Sequence, residues 1–158
     1  MGDVFYREGL HFECQRCSNC CRHEPGFVFL SYNDLDRLQQ ATGVGRAEFV
    51  QRYCRGVYIN GTYRLSLIEK ENYDCIFWTE NDCSVYEHRP LQCRSYPFWP
   101  DILHSQESWN SLYTSCKGIN RGRLHSFEEI QGWLQKREEE PIVLLTPEEL
   151  RQLQGEHV

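Results

Sequence analysis

The chain has 158 residues, is 40% hydrophobic and 13% aromatic, and carries a formal net charge of −6. This composition suits one folded domain with a modest core and excludes a disordered tail. The acidic balance argues against nucleic acid as a general partner, since phosphate binding needs a basic face. Residues 1–13 lack the pattern of a signal peptide and no apolar run could span a bilayer, so we expect a cytoplasmic protein that does not use a membrane.

The first predicted elements are two helices. Ser31 and Asp34 form a capping-box pattern at the start of the first helix, before a run of leucines at helical spacing. The second helix is expected to continue to Gly56. Cys54 lies within it and is interpreted as a small buried residue.

Strand and turn signals follow the helices. Asn60-Gly61 between two β-prone runs predicts a hairpin, and the run CIFW (Cys75–Trp78) predicts a further strand. Pro90 predicts the start of a short helix. In the tail, Ser126 and Thr146 each begin a capping-box pattern, and a charged helix and a short strand are expected between them.

Nine cysteines dominate the chemistry of the sequence. Cytoplasmic thiols are kept reduced, so a cysteine-rich chain of this kind indicates metal or redox chemistry, and an odd count prevents complete disulfide pairing. A secreted disulfide scaffold is the alternative that the missing signal pattern disfavours. A thiol–disulfide redox protein would need only one CxxC pair and would leave the other cysteines unexplained.

The stretch FECQRCSNCCRHEPG contains Cys14, Cys17, Cys20 and Cys21. Two residues between thiolates allow both sulfurs to reach one ion, and bacterial ferredoxins use a C-x2-C-x2-C run to supply three thiolates to one cubane cluster. Adjacent side chains point in different directions, so Cys20 and Cys21 are not expected to be simple ligands of one tetrahedral ion. The motif therefore predicts more than one metal ion.

Four downstream cysteines complete a predicted ligand set of eight: Cys75, Cys83, Cys93 and Cys116. Eight thiolates suffice for two four-thiolate sites or for one larger iron–sulfur assembly. The downstream cysteines form no second CxxC pair, which favours an iron–sulfur cluster, while zinc ions are the alternative cofactor. His23 and His88 are alternative ligands, although a surface position is the simpler interpretation of each.

Arginine and aromatic side chains accompany the cysteines. A four-thiolate site is net negative, so we expect arginines to offset its charge and to donate N–H···S bonds. The alternative for Arg89 and Arg94 is binding of an anionic substrate or cofactor carboxylate. Tyr96 is expected to wall the site off from water. The residues predicted around the thiolates are Arg16, Arg22, Arg89, Arg94 and Tyr96.

The blocks FECQRCSNCC, DCIF, CSVY, RPLQCRSYPF and CKG occur in this order along the chain. Together they resemble the CxxCxxCC family of zinc- or iron-chelating domains, also called the YkgJ-type cysteine cluster family, over residues 10–122. The resemblance implies metal chelation by the eight cysteines and leaves the metal open. Flagellin lysine methylases share a similar cluster associated with an iron–sulfur centre, but they are longer, so their activity is not carried over. Lys117 stands where family members often have proline.

The sequence therefore predicts a small single α+β domain organised around a cysteine-ligated metal centre, with short strands, a β-hairpin and several helices. We expect a cysteine-cluster domain over residues 1–123 and a helical C-terminal appendage over residues 124–158. The leading hypothesis is an iron–sulfur protein with an eight-cysteine centre, in electron-transfer or metal- or redox-dependent chemistry on a protein partner. The alternatives are a structural two-zinc module for protein–protein interaction and a metal-cluster-dependent, methyltransferase-like enzyme. Any enzymatic activity would run through the metal centre.

Overall fold

The structure, a computed structural model, describes residues 4–15, 26–79 and 83–155. These residues form helices and two small antiparallel sheets, which confirms the predicted α+β class. In the part of the chain that is described, no helix combines the length and the apolar character that crossing a membrane requires.

The helices and strands, in chain order, are β1 (Leu10–Phe12), α1 (Tyr32–Thr42), α2 (Arg46–Tyr53), β2 (Cys54–Ile59), β3 (Thr62–Leu67), α3 (Leu91–Ser95), α4 (Pro100–Leu103), α5 (Gln106–Ser111), β4 (Ile119–His125), α6 (Phe127–Glu139), β5 (Leu144–Leu145) and α7 (Pro147–Leu153). They divide between two compact units. The first unit comprises Met1–Cys20 and Ser95–Glu139, and the second comprises Cys21–Arg94 and Glu140–Val158. The division expected at residue 123 stays a prediction.

The second unit contains a three-stranded antiparallel sheet in the order β2-β3-β5. Asn60 and Gly61 have φ angles of 50° and 90°, the left-handed conformation that a two-residue hairpin turn requires, which confirms the predicted hairpin. Leu145 of the tail pairs with Tyr63 of β3 and so supplies the third strand. Helices α1 and α2 contribute fully buried leucine, phenylalanine and valine side chains to the core of this unit.

Local signals set the starts of α1 and α7 in the second unit. Ser31 and Asp34 form the predicted capping box, with the Asp34 N–H donating to Ser31 Oγ at 3.1 Å and the Ser31 N–H donating to Asp34 Oδ2 at 2.9 Å. Thr146 forms the predicted box at the start of α7. Ahead of α6 in the first unit, the Glu129 N–H donates to Ser126 Oγ at 3.1 Å, as the predicted pattern at Ser126 requires. The predicted extension of α2 to Gly56 is wrong, because Cys54 already pairs with Leu67 in the hairpin ladder.

The first unit contains the two-stranded antiparallel sheet of β1 and β4 together with α4, α5 and α6. Its core is rich in aromatic side chains. Trp109 of α5 is 1% exposed and its ring stacks on that of Phe98 at a centroid distance of 5.8 Å. Ile119 and Ile130 complete the buried cluster on β4 and α6.

Candidate functional site

Cys14 and Cys116 lie on two segments of the first unit that are hydrogen-bonded to each other. Just beyond the paired ends of β1 and β4, the backbone N–H of Glu13 donates to the carbonyl oxygen of Gly118 at 3.2 Å. Cys14 directly follows Glu13, and Cys116 begins the turn before β4, in which its carbonyl accepts the Ile119 N–H at 3.3 Å. The first cysteine of the N-terminal run and the last cysteine of the chain therefore lie on the two segments that this backbone hydrogen bond joins.

This close approach depends on a glycine and is lined by aromatic rings. A Cβ atom at Gly118 would lie 2.2 Å from the carbonyl oxygen of Glu13, so a larger residue would force the two segments apart. Cys116 is buried in the same apolar cluster against which Tyr96 packs, and the Tyr96 ring meets Phe12 edge-on at 6.5 Å. The surroundings of Tyr96 are thus apolar, and its role as a wall of the site stays a prediction.

Cys75 and Cys83 are tied together in the second unit by backbone bonds. The Trp78 N–H donates to the carbonyl of Cys75 at 2.8 Å, and Trp78 also forms a β-bridge with Cys83. The predicted strand from Cys75 to Trp78 is wrong, because this hydrogen bond closes a turn and the buried Phe77 accepts at its carbonyl from Ser84. Both cysteines are half-buried against the core of this unit.

Cys93 lies on the short helix α3, and the buried carboxylate of Asp34 fixes the start of that helix. Asp34 is 0% exposed, and its Oδ1 accepts the backbone N–H of Leu91 at 2.9 Å. The same carboxylate completes the capping box of α1 through Oδ2. One side chain therefore caps two helices, and the second of them carries a predicted ligand.

Gln92, the residue before Cys93, forms two hydrogen bonds with the segment that follows the N-terminal cysteine run. Its Nε2 donates to the carbonyl of Phe27 at 2.7 Å, and its Oε1 accepts from the backbone N–H of Phe29 at 3.0 Å. The side-chain amide thus contacts the backbone as a neighbouring strand would. This contact links the cysteine-bearing helix to residues 27–29 inside one unit.

Arg89 and Arg94 flank Cys93 and bond to nearby backbone. Arg89 Nε donates to the carbonyl of Tyr86 at 3.0 Å, and its guanidinium lies 3.9 Å from the centroid of the Tyr86 ring, a cation–π contact. Arg94 Nε donates to the carbonyl of Arg89 at 3.1 Å. These bonds fix both side chains close to the turn that leads into α3.

The charge of Arg94 belongs to a partly buried cluster of ionised groups. Burial lowers the pKa of Arg94, and the nearby cation Arg37 lowers it further, whereas the carboxylates of Asp34 and Glu140 raise it. Arg37 pairs with Asp34 and lies 3.8 Å from Glu140. The carboxylates of this unit therefore already offset part of the Arg94 charge, and the predicted roles of both arginines toward thiolates or an anion stay predictions.

Cys54 differs from the predicted ligands. It is buried at the start of β2, and burial raises the pKa of its thiol to about 12. Its side chain belongs to the apolar core cluster of the second unit. This confirms its interpretation as a small buried residue.

Part of the predicted site lies outside the described residues, namely Arg16, Cys17, Cys20, Cys21, Arg22 and His23. Among residues 4–15, 26–79 and 83–155, no three His, Cys, Asp or Glu side chains come together as a metal site. The five predicted thiol ligands within those ranges fit soft metals by their chemistry. Their roles as ligands, and the metal centre itself, stay predictions.

Comparison with known proteins gives a family. A sequence profile described as "Putative zinc- or iron-chelating domain" matches residues 13–117. The uncharacterized protein MJ0939 of Methanocaldococcus jannaschii is 27% identical over 122 residues, which cover 74% of this chain and 40% of that protein. The chain thus matches less than half of that relative's length. No solved structure matches it. Because the profile covers more than half of the chain and includes all eight predicted ligand cysteines, this protein belongs to the CxxCxxCC family of zinc- or iron-chelating domains.

Proposed function

We propose that this protein binds an iron–sulfur centre through its cysteine thiolates. The observation that carries the proposal is the hydrogen bond from the Glu13 N–H to the Gly118 carbonyl, which joins the segments that carry Cys14 and Cys116, the first and last cysteines of the family segment. An iron–sulfur cluster takes several thiolates, and these can come from distant positions in the chain. The family description supports zinc or iron, and thiolates suit both.

The spacing of the cysteines supports iron–sulfur over zinc. The run Cys14-x2-Cys17-x2-Cys20 has the form in which one cubane cluster takes three thiolates, and its further ligand comes from elsewhere in the chain. Zinc ribbons instead bring two CxxC pairs together. We propose that the centre acts in electron transfer or in redox or metal-dependent chemistry on a protein partner in the cytoplasm.

Anaerobic purification followed by elemental analysis tests the cofactor. We expect iron and acid-labile sulfide in near-equal amounts, and visible thiolate-to-iron absorption that bleaches on reduction with dithionite. The number of iron atoms per chain separates one assembly from two smaller sites. A colourless protein with stoichiometric zinc and no iron would support the structural zinc module, and a metal-free protein would overturn metal binding altogether.

Serine variants test the ligands against a matched control. Cys14→Ser and Cys116→Ser are expected to lower the metal content, because serine does not supply a soft thiolate. Cys54→Ser is the control, since the Cys54 thiol is buried and holds its proton. Equal metal content in all three variants would remove Cys14 and Cys116 from the site.

A further inference from the structure

We propose that Gln92 is a positioning residue that orients the Cys93 thiol toward the metal. The inference rests on the proposed function, because it assumes that Cys93 is a ligand. Gln92 would act on the metal site through the backbone that it shares with Cys93. Its role is to fix the helix that carries the thiol against the extended segment at residues 26–30.

The amide of Gln92 is suited to this contact because it both donates and accepts. Phe27 offers a carbonyl and Phe29 an N–H on the same side of the extended chain, two residues apart, and Gln92 satisfies both. The rings of Phe27 and Phe29 stack at a centroid distance of 5.4 Å. A side chain with only a donor or only an acceptor could make one of the two bonds and would leave the other group unsatisfied.

The segment that Gln92 contacts is itself firmly anchored to β3 and its surroundings. The Leu30 N–H donates to the carbonyl of Leu65 at 3.0 Å, and the Val28 N–H donates to Ser66 Oγ at 3.1 Å. The Gly26 N–H donates to Glu69 Oε1 at 2.8 Å. Gln92 therefore joins α3 to a segment that the sheet already fixes in place.

The helix itself is too short to hold Cys93 unaided. Helix α3 has five residues, and isolated helices of that length do not persist in water. Two anchors from outside the helix act on consecutive residues, the Asp34 carboxylate on Leu91 and the backbone of residues 27–29 on Gln92. Loss of the Gln92 anchor should let the Cys93 thiol rotate away while Asp34 keeps the helix attached.

Metal titration of the full chain tests the inference. Gln92→Ala and Gln92→Glu are compared with Gln40→Ala, a glutamine exposed on α1. Glutamate keeps the size of the side chain and an acceptor for Phe29 but loses the donor to Phe27, so this variant remains informative if the alanine variant fails to fold. Co²⁺ is added to chelator-stripped protein in competition with a chelator, and thiolate-to-cobalt absorption and thermal unfolding of the stripped protein are recorded.

We expect both Gln92 variants to bind Co²⁺ about tenfold more weakly than the wild type, with altered thiolate-to-cobalt absorption. Gln40→Ala should match the wild type. If the wild type binds cobalt and the Gln92 variants bind it equally well, the inference is overturned and the proposed function stands. An unchanged spectrum, with affinity that falls only in step with thermal stability, also overturns it. A wild type that takes up neither iron nor cobalt overturns both.

Discussion

The indole N–H of Trp109 donates to Oδ1 of Asn120 at 2.9 Å, which ties α5 to the start of β4. Trp109 is almost fully buried, so its N–H must find a partner inside the fold. Asn120 has a φ of 65°, a left-handed conformation that asparagine adopts more readily than most residues, and its Nδ2 donates to Asn110. Position 120 therefore needs a residue that tolerates a left-handed backbone and that also offers an acceptor to the Trp109 indole.

We expect Asn120→Ala to lower the free energy of unfolding by about 1–3 kcal/mol, because it leaves the indole N–H unsatisfied. Asn120→Asp keeps the acceptor for Trp109 and should cost less. Urea denaturation followed by tryptophan fluorescence measures both variants. Equal losses in the two would show that the indole hydrogen bond contributes nothing.

Gly118→Ala should disturb the backbone contact between the segments that carry Cys14 and Cys116. The added Cβ atom would meet backbone at Glu13, which cannot rotate away as a side chain could. We expect lower metal content per chain together with a lower unfolding temperature. Both are measured on protein purified in parallel with the wild type.

Gly132→Ala is the matched control for this substitution. Gly132 lies inside α6. Among the described residues, its two chain neighbours and the backbone of its own helix apart, no atom stands within 4 Å of the place that a Cβ atom would take. Alanine should therefore raise the free energy of unfolding by about 0.5–1 kcal/mol. The metal content should stay that of the wild type. If Gly118→Ala keeps full metal content, this backbone contact does not position a metal ligand.

Removing the cap of α7 should weaken the tail of the second unit. Thr146 Oγ1 accepts the backbone N–H of Glu149 at 3.1 Å, and the Glu149 carboxylate accepts the backbone N–H of Thr146. Thr146→Ala is expected to lower the free energy of unfolding by about 1 kcal/mol in thermal denaturation. Thr146→Ser retains a hydroxyl acceptor and should stay close to the wild type, so a loss as large as that of alanine would contradict the cap.

Cys54 should make stability depend on pH in the alkaline range. Burial raises the pKa of its thiol from 9.0 to about 12, so above pH 9 the unfolded chain releases a proton that the folded chain retains. Stability is therefore unaffected below pH 9 and falls as the pH rises from 9 toward 12. Denaturant unfolding at a series of pH values should show a shallower alkaline decline for Cys54→Ala than for the wild type. Parallel curves would exclude this thiol as the cause.

Local signals in the sequence predicted local structure well. The capping boxes at Ser31 and Thr146 and the hairpin turn at Asn60-Gly61 each depend on residues within a few positions of one another. The predicted strand at Cys75–Trp78 was wrong because a short apolar run is compatible with a strand and with a buried turn. The turn forms here, and the Ser84 N–H donates to the carbonyl of Phe77 within it.

Contacts between distant parts of the chain could not be predicted from the sequence. The pattern around Asp34 indicated a helix cap, but nothing marked the bond from its second oxygen to Leu91. The two bonds of Gln92 to Phe27 and Phe29 were missed for the same reason. The cysteine motif indicated the family's zinc- or iron-chelating chemistry, whereas the hydrogen bonds that Asp34 and Gln92 make to distant residues are visible only in the tertiary structure.

The interleaving of the two units along the chain constrains the order in which the protein can fold during synthesis. Each unit combines an early and a late segment of the chain. In the second unit the Val143 N–H of the late segment donates to the Leu30 carbonyl, and the Val143 carbonyl accepts the Leu65 N–H. Neither unit can close until residues beyond Cys116, the last cysteine, have left the ribosome. All nine thiols therefore leave the ribosome before either unit can fold completely, and metal supplied during translation would encounter a chain that is not yet folded.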